Sequence, residues 1–233
     1  MFATATWNVN SLRVRLEHVL AWLGTASPDV LALQETKIVD GVFPHEAFAA
    51  LGYHCIFSGQ PTYNGVAILS KIPGEDSRVI VDFPDFLDPQ RRILGMQIQG
   101  LFILNIYVPN GAEVGSEKYQ YKLAWLSHLE RFLKETLREH PKLVVLGDFN
   151  IAPSDEDVHD PVAWQGSVLV SPQEREALGR IMQLGFADSF LLASPPGSDR
   201  FSWWDYRMGA FRRNHEGDRG ATGGARRGRR QPS

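Results

Sequence analysis

The stretch LVVLGDFN, residues 143–150, changes abruptly from apolar to polar. Its first four residues form a continuous apolar run, which is typical of a strand buried on both faces of a sheet. Gly147, Asp148 and Asn150 follow directly, although strands seldom contain such residues. The stretch therefore predicts a buried strand whose carboxyl end carries a carboxylate and an amide.

Three further segments repeat this pattern of an apolar strand followed by polar side chains: TWNVN at 6–10, LQETK at 33–37 and NIYVPNG at 105–111. In open α/β sheets, ligands gather outside the carboxyl ends of the strands. If the four strands lie side by side, five polar side chains converge on one pocket. They are Asn8, Glu35, Tyr107, Asp148 and Asn150.

These five side chains offer carboxylate and amide oxygens without a histidine or cysteine cluster, which favours a hard cation, Mg²⁺ or Mn²⁺. A second carboxylate can take a proton from an attacking water, and a tyrosine or asparagine can orient a phosphate oxygen. Together they indicate metal-assisted phosphodiester hydrolysis. Taken singly, Asp and Asn after a strand are ordinary turn residues, whereas Glu35 closes a buried strand and needs a partner.

The rest of the chain predicts helices and further strands. Helices are expected over 12–23 (ending at Gly24), 44–51 and 117–139, and another begins after Ser171, where Pro172 and Glu174 complete a capping box. Strands are expected over 2–9, 29–33, 53–57, 65–69, 78–82, 93–98 and 101–108. Several strands follow one another without a helix between them. The fold class is therefore α/β, with mixed sheets covered by helices.

Composition excludes several classes of protein. The chain has 233 residues, of which 43% are hydrophobic and 22% charged, so it is not a wholly disordered chain. Its single cysteine, Cys55, excludes an internal disulfide framework and a cysteine-rich zinc module. We recognise no signal peptide and no apolar run long enough for a membrane helix. A cytoplasmic protein is expected.

The net charge of −3 is unevenly distributed. Seven arginines and two acidic residues lie between Arg212 and Ser233, so this stretch carries +5 and the remainder −8. The stretch also holds five glycines and almost no apolar side chains, so it cannot bury a face. The expected organisation is an acidic globular domain over 1–214 and a basic, disordered tail over 215–233.

The motifs of the chain resemble the exonuclease III branch of the endonuclease/exonuclease/phosphatase family. They stand in the family's order: TWNVNSLR, ALQETK, NGVAILSK, QRRILG, NIYVPNG, KYQYKLAWL, VLGDFNIAPSDEDVHDP, SPQEREAL and RFSWWDYRMGAFRRN. LQET and GDFN alone indicate only the wider family, which includes DNase I. QRRILG, KYQYKLAWL and SWWDYR point to the exonuclease III branch rather than to sphingomyelinases or inositol phosphatases.

The resemblance implies a four-layer α/β sandwich, DNase I-like, with two mixed sheets between helices. It also implies Mg²⁺-dependent cleavage of double-stranded DNA by a monomer, at abasic sites and at 3′ ends. The roles it implies are metal ligand for Glu35 with Asn8 beside it, and activation or orientation of the attacking water for Asp148. Asn150 would then position the nucleophile and phosphate, and Tyr107 would contact the scissile phosphate.

Four further residues are expected to contact DNA. The resemblance implies that Asn110 lies in the Tyr107 loop and that Trp203 belongs to the pocket for a flipped-out sugar, whose extrusion costs less when the base is missing. Arg91 can contact a phosphate, or it can simply be a solvated residue at the start of a strand. Lys118 stands at the start of a helix and can also touch phosphate.

The chain departs from the family pattern after Asn214. Family members continue with an apolar strand containing an Asp, and later with a Ser-Asp-His segment before a final strand. Here the sequence is HEGDRGATGGARRGRRQPS. We therefore expect the last strands to be missing, through a shifted frame or truncation, and DNA cleavage to be severely reduced. A genuine basic tail that binds DNA phosphates is the rival interpretation.

Two classes of function therefore stand side by side. The first is a DNA-repair nuclease of the exonuclease III type. The second is an inactive remnant that still binds DNA. A phosphatase acting on small or lipid phosphates is a further enzymatic reading, but SWWDYR and QRRILG argue against it.

Overall fold

The computed structural model of the protein describes residues 2–86 and 88–194. The expected boundary at 214, the basic tail and the expected missing last strands all lie outside the described residues. Among the helices that the structure describes, none combines the length and apolar character needed to cross a bilayer.

Within the described residues, the strands form two four-stranded sheets. The first contains β1 (Thr4–Asn8), β2 (Val30–Gln34), β4 (Val66–Ser70) and β3 (His54–Ser58) in that spatial order. The second contains β5 (Glu75–Ile80), β6 (Ile93–Ile98), β7 (Leu101–Tyr107) and β8 (Leu143–Asp148). Strand pairs β1–β2 and β7–β8 are parallel and the other pairs antiparallel, so both sheets are mixed, as predicted.

Helices flank the sheets. They are α1 (Leu12–Ala26), α2 (His45–Ala49), α3 (Glu117–Glu139), α4 (Pro161–Trp164), α5 (Pro172–Gln183) and α6 (Ser189–Ala193). Apolar side chains of α1 and α2 pack on the first sheet, and those of α3 and α5 pack on the second. A third apolar cluster fills the space between the sheets. The order helix, sheet, sheet, helix is the four-layer sandwich that the sequence predicts.

Two predicted boundaries differ from the structure by three residues, and the others by two or fewer. The first helix continues past Gly24 to Ala26, because Ser27 adopts the left-handed conformation and its N–H bonds the Leu23 carbonyl. The strand expected over 78–82 is β5, Glu75–Ile80. β5 lies at a sheet edge and its register with β6 is irregular, so the sequence specifies the bounds of this strand only weakly.

The capping prediction for α5 is confirmed. The Ser171 hydroxyl accepts from the Glu174 amide, and the Glu174 carboxylate accepts from the Ser171 amide. Pro172 occupies the first turn, where its missing N–H costs nothing.

A buried polar network joins the two sheets at their centre. Asn105 of β7 is fully buried and donates to the carbonyls of Leu33 and Ala67 in the first sheet, at 2.9 and 2.8 Å. Its oxygen accepts from Gln34 Nε2 at 2.7 Å, and that nitrogen also donates to Thr6 Oγ1. Because an unsatisfied polar group is costly between two apolar faces, these bonds favour one relative placement of the sheets.

Replacing Asn105 with Ala is expected to destabilise the fold by about 3 kcal/mol or more, because it leaves the two carbonyls and the Gln34 amide without this partner. Thr136→Ala is a suitable control, since it removes one buried hydroxyl that bonds the Phe132 carbonyl within α3. Urea unfolding of both variants measures the difference. A loss below about 1 kcal/mol for Asn105→Ala, no greater than that of the control, would contradict the role of this network.

Candidate active site

The carboxyl ends of four strands meet along one edge of the sandwich. Parallel pairing sets Asn8 of β1 beside Gln34 of β2, and Tyr107 of β7 beside Asp148 of β8. β1 and β8 are also in contact with each other across the two sheets. The polar residues that end these strands therefore come together, as the sequence pattern predicts.

Asn8 connects the two carboxylates of the site. Its amide nitrogen donates to Glu35 Oε1 and to Asp148 Oδ2, each at 2.8 Å. Its amide oxygen accepts from the Asn10 N–H at 3.0 Å. The two acids come from different sheets, and a single side chain fixes the distance between them.

Glu35 is held in a conformation that few residues other than glycine adopt. Its φ is 53°, in the left-handed region, which turns the chain directly after β2. Its other oxygen, Oε2, lies 2.9 Å from the Lys37 ammonium. Burial opposes ionisation, but the bonds from Asn8 and Lys37 and the charge of Lys37 outweigh it, so the pKa of Glu35 lies below its usual value. The carboxylate is anionic at neutral pH.

Asp148 follows a position that only glycine can occupy. At Gly147, with φ at 143°, an added Cβ would lie 1.9 Å from the Ile106 carbonyl oxygen of the neighbouring strand. Asp148 Oδ1 accepts from the Asn150 N–H at 3.0 Å. Desolvation raises the pKa of the Asp148 carboxyl and the Glu35 charge raises it further, although Asn8 and Asn150 partly offset this. The two acids are thus shifted in opposite directions, as expected when paired carboxyl groups take different roles.

Tyr107 lies between these acids and an arginine. The Arg92 guanidinium carbon stands 4.6 Å from the centre of the Tyr107 ring, and Arg92 Nη1 donates to the Tyr107 carbonyl at 3.2 Å. The phenol is close enough to the Glu35 carboxylate for its charge to act on it. Burial and the charges of Glu35 and Asp148 raise the pKa of Tyr107 well above its usual value. The phenol is therefore neutral and can donate a hydrogen bond.

Asn110 and Asn150 lie in the loops that follow β7 and β8. Asn150 is buried, and its amide nitrogen donates to the Val108 carbonyl at 2.8 Å. Its amide oxygen faces the Asn110 nitrogen at 3.4 Å. The two loops are thereby joined beside Asp148. The structure brings together the five residues predicted to converge, with Asn110 next to them.

The donor set fits a hard divalent cation. Within residues 2–86 and 88–194, no group of three or more His, Cys, Asp and Glu side chains could hold a metal. Two carboxylates are sufficient for Mg²⁺, which usually keeps water or substrate oxygens at its other positions. The Lys37 ammonium contacts Glu35 Oε2, which shows that a positive charge can lie next to this carboxylate.

The three residues predicted at the periphery have different surroundings. Arg91 is partly exposed, its guanidinium lies 3.4 Å from Asp82, and its N–H donates to Gln60. Lys118 is exposed in the first turn of α3. Trp203 lies outside the described residues.

Two cationic side chains contact residues of the site in a way that the sequence did not reveal. Lys37 pairs with Glu35, and Arg92 stacks on Tyr107, whereas the sequence suggested for the Arg91–Arg92 pair either a DNA phosphate contact or a solvated strand start. Lys37 stands two residues after Glu35 in the chain, and that proximity is a usable signal, because a buried carboxylate needs a nearby partner. Arg92 meets Tyr107 because antiparallel pairing sets the start of β6 beside the end of β7, which no local pattern shows.

Acidic side chains of residues 155–157 form contacts that stabilise their own loop. Asp155 pairs with Arg175 at 2.8 Å, and Asp157 accepts from the Ser154 N–H and hydroxyl. These contacts are those of a polar loop rather than of a metal cluster.

Known proteins share both the sequence and the fold. The chain is 34% identical to exodeoxyribonuclease III of Haemophilus influenzae over 219 residues, covering 88% of this chain and 81% of that protein. A Neisseria 3′ phosphatase, solved with its product DNA hairpin, is similar with a TM-score of 0.87 and 40% identity, covering 93% of this chain and 84% of the other. An AP endonuclease from Archaeoglobus fulgidus has a TM-score of 0.85 and 39% identity, covering 94% and 85%.

A family model also matches most of the chain. Residues 5–219 match the model described as the endonuclease/exonuclease/phosphatase family. The match includes the ends of β1, β2, β7 and β8, where the polar cluster lies. The chain belongs to the endonuclease/exonuclease/phosphatase family.

Proposed function

We propose that this protein is a metal-dependent hydrolase of DNA phosphodiester bonds, of the exonuclease III type, that acts in DNA repair. The observation that carries the proposal is the Asn8 amide, which holds Glu35 and Asp148 side by side next to Tyr107 and Asn150. The similarity to an exodeoxyribonuclease III, an AP endonuclease and a 3′ phosphatase supports it.

The cation of this reaction is Mg²⁺, with Mn²⁺ as a substitute. Glu35 would hold it, with Asn8 beside it. When bound, the cation neutralises phosphate charge and stabilises the developing negative charge of the transition state. The lowered pKa of Glu35 keeps this ligand ionised at neutral pH.

The remaining side chains act on water and phosphate. Asp148 orients the attacking water and accepts its proton, a role that its upward-shifted pKa suits because a more basic carboxylate is a better proton acceptor. Asn150, buried and fixed by the Val108 carbonyl, positions the nucleophile and the phosphate. Tyr107 remains protonated and donates a hydrogen bond to a phosphate oxygen, and Arg92 holds the ring in place.

The substrate is double-stranded DNA with abasic sites or 3′ ends. Asn110, Arg91, Lys118 and Trp203 are the residues that would contact it. A monomer is sufficient, because both carboxylates and both asparagine loops come from one chain. The cytoplasm of a bacterium is the location that fits the bacterial relatives.

A second candidate is a protein that binds DNA without appreciable turnover. The sequence after Asn214 favours it, since the Asp and Asp-His segments of the family pattern are not found there. The basic residues of 215–233 would then bind phosphates. In that case, deleting 215–233 should cause a salt-sensitive loss of DNA affinity.

Glu35→Gln and Asp148→Asn are each expected to lower the rate of abasic-site incision by about 10³-fold, because one removes the charge that holds the cation and the other the proton acceptor. Glu135→Gln, an exposed acid on α3 that pairs with Arg138, is the matched control and should retain the full rate. Incision of a labelled abasic duplex measures all three. If both site variants cleave like the unaltered chain, the cleavage does not come from this site.

Removing divalent cations with a chelator is expected to abolish incision, and Mg²⁺ or Mn²⁺ should restore it. Mn²⁺ binding, measured by electron paramagnetic resonance in the absence of DNA, should weaken by about tenfold or more in Glu35→Gln. The Glu135→Gln chain should bind Mn²⁺ like the unaltered protein. Equal Mn²⁺ affinity in both variants would contradict the assignment of Glu35.

The turnover of the full chain on an abasic duplex is expected to be about 10²-fold or more below that of the Haemophilus influenzae relative, because the Asp and Asp-His segments are not found after Asn214. An undamaged blunt duplex serves as the control for abasic specificity. Turnover equal to that of the relative would exclude the second candidate and show that other residues replace these segments.

A further inference from the structure

Lys122 is a buried cation directly behind the active-site loops. It lies on α3, and its side chain is 0% exposed. Its ion-pair partner is Glu174 of α5, whose side chain is also 0% exposed. Removing two charges from water is unfavourable, so stabilisation of the fold does not by itself explain an ion pair buried this deeply.

All three protons of the Lys122 ammonium have acceptors. One is directed at Glu174 Oε1. The others are donated to two backbone carbonyls, those of Asn110 at 3.1 Å and Asn150 at 2.6 Å. These carbonyls belong to the two loops that carry the asparagines beside Asp148. One ammonium group therefore bridges the segments that follow β7 and β8.

Glu174 cannot move away from Lys122, because the start of α5 holds it. Its carboxylate accepts from the N–H groups of Leu169 and Ser171, each at 3.1 Å, and from the Ser171 hydroxyl. The Ser171 hydroxyl in turn contacts the Tyr119 hydroxyl of α3 at 2.6 Å. The capping box of one helix thus fixes the position of a charge on another.

The stem of Lys122 also packs against the first loop. At Gly111, with φ at 95°, an added Cβ would lie 3.1 Å from Lys122 Cδ. The loop that carries Asn110 therefore rests on the methylene chain while its carbonyl accepts from the ammonium. Contacts along the stem and at its end restrict this loop together.

We propose that Lys122 is a positioning residue, which holds the Asn110 and Asn150 loops at the separation that places both asparagines on the scissile phosphate, with Glu174 as its anchor. Lys122 itself touches neither water nor phosphate. The effect on DNA cleavage rests on the proposed function, whereas the effect on the two loops does not.

The test compares the double variant Lys122→Met/Glu174→Gln with Leu133→Ala. The double variant removes the ammonium without leaving a lone buried charge, and Gln retains an oxygen for the N–H groups at the start of α5. Leu133 is a buried core residue of α3, about 16 Å further along the helix, so its truncation lowers stability and leaves the Lys122 ammonium and its three acceptors in place.

Hydrogen exchange followed by mass spectrometry reports on the loops without requiring activity. The double variant should exchange about tenfold or more faster than the unaltered chain over 109–113 and 149–152. Leu133→Ala should leave these two segments at the unaltered rate. Loop exchange in the double variant that matches the unaltered chain would overturn the proposal.

Kinetics provide the second arm. In the double variant, kcat for abasic-site incision should fall by about 10²-fold while KM changes by less than about threefold, because the phosphate is bound but misplaced. Leu133→Ala should retain both constants. Faster loop exchange with an unchanged kcat would overturn the positioning role. If the unaltered chain cleaves no DNA, the proposed function fails, and the exchange result alone decides the role of Lys122.

A measurement on the unaltered chain keeps the proposal testable if the double variant does not fold. With ¹⁵N-labelled lysine and ¹³C-labelled carbonyls, NMR should detect couplings across the hydrogen bonds from Lys122 Nζ to the Asn110 and Asn150 carbonyl carbons. A resolved Lys122 ammonium signal without either coupling would overturn the proposal.

Discussion

The hydrogen bonds of Asn105 are the constraint on which the active site depends. The two sheets face each other through apolar side chains, and apolar contact by itself is not directional. Asn105 adds direction, because its amide must meet the Leu33 and Ala67 carbonyls and the Gln34 side chain at the same time. Gln34 is the last residue of β2, directly before Glu35. The bonds that align the sheets therefore also fix the position of Glu35 relative to the second sheet.

The site is assembled from two halves that neither sheet could form alone. Asn8 ends a strand of the first sheet and Glu35 directly follows another, whereas Tyr107 and Asp148 end strands of the second sheet and Asn150 lies in the loop after β8. Asn8 donates to Glu35 within its own half and to Asp148 in the other half, which keeps the two carboxylates close despite their mutual repulsion. Lys37 and Arg92 supply nearby positive charge, one at Glu35 and the other at the Tyr107 ring. The opposite pKa shifts of Glu35 and Asp148 follow from this unequal environment.

A buried ion pair lies directly behind the site. The Lys122–Glu174 pair lies where most proteins place apolar side chains, and its hydrogen bonds end on the backbone of the two asparagine loops. Loops normally carry higher mobility than the strands they follow. Here the carbonyls at their tips are bonded to α3, and α3 is linked to α5 by the Ser171 capping box. Helix packing and loop geometry are thereby connected through one ammonium group.

The amino-acid sequence by itself determined the element types, the mixed-sheet class and the polar strand ends, because these depend on local patterns. Continuous apolar runs marked β2 and β8, and Ser171 with Glu174 marked the start of α5. It also placed Glu35, Asn8, Tyr107, Asp148 and Asn150 in one cluster, since parallel strands end at a shared edge. Only the tertiary structure decided which partners these groups have. That Lys122 meets the Asn110 and Asn150 carbonyls, and Asn105 the Leu33 carbonyl, depends on how helices and sheets pack across long sequence separations, and no local pattern specifies such contacts.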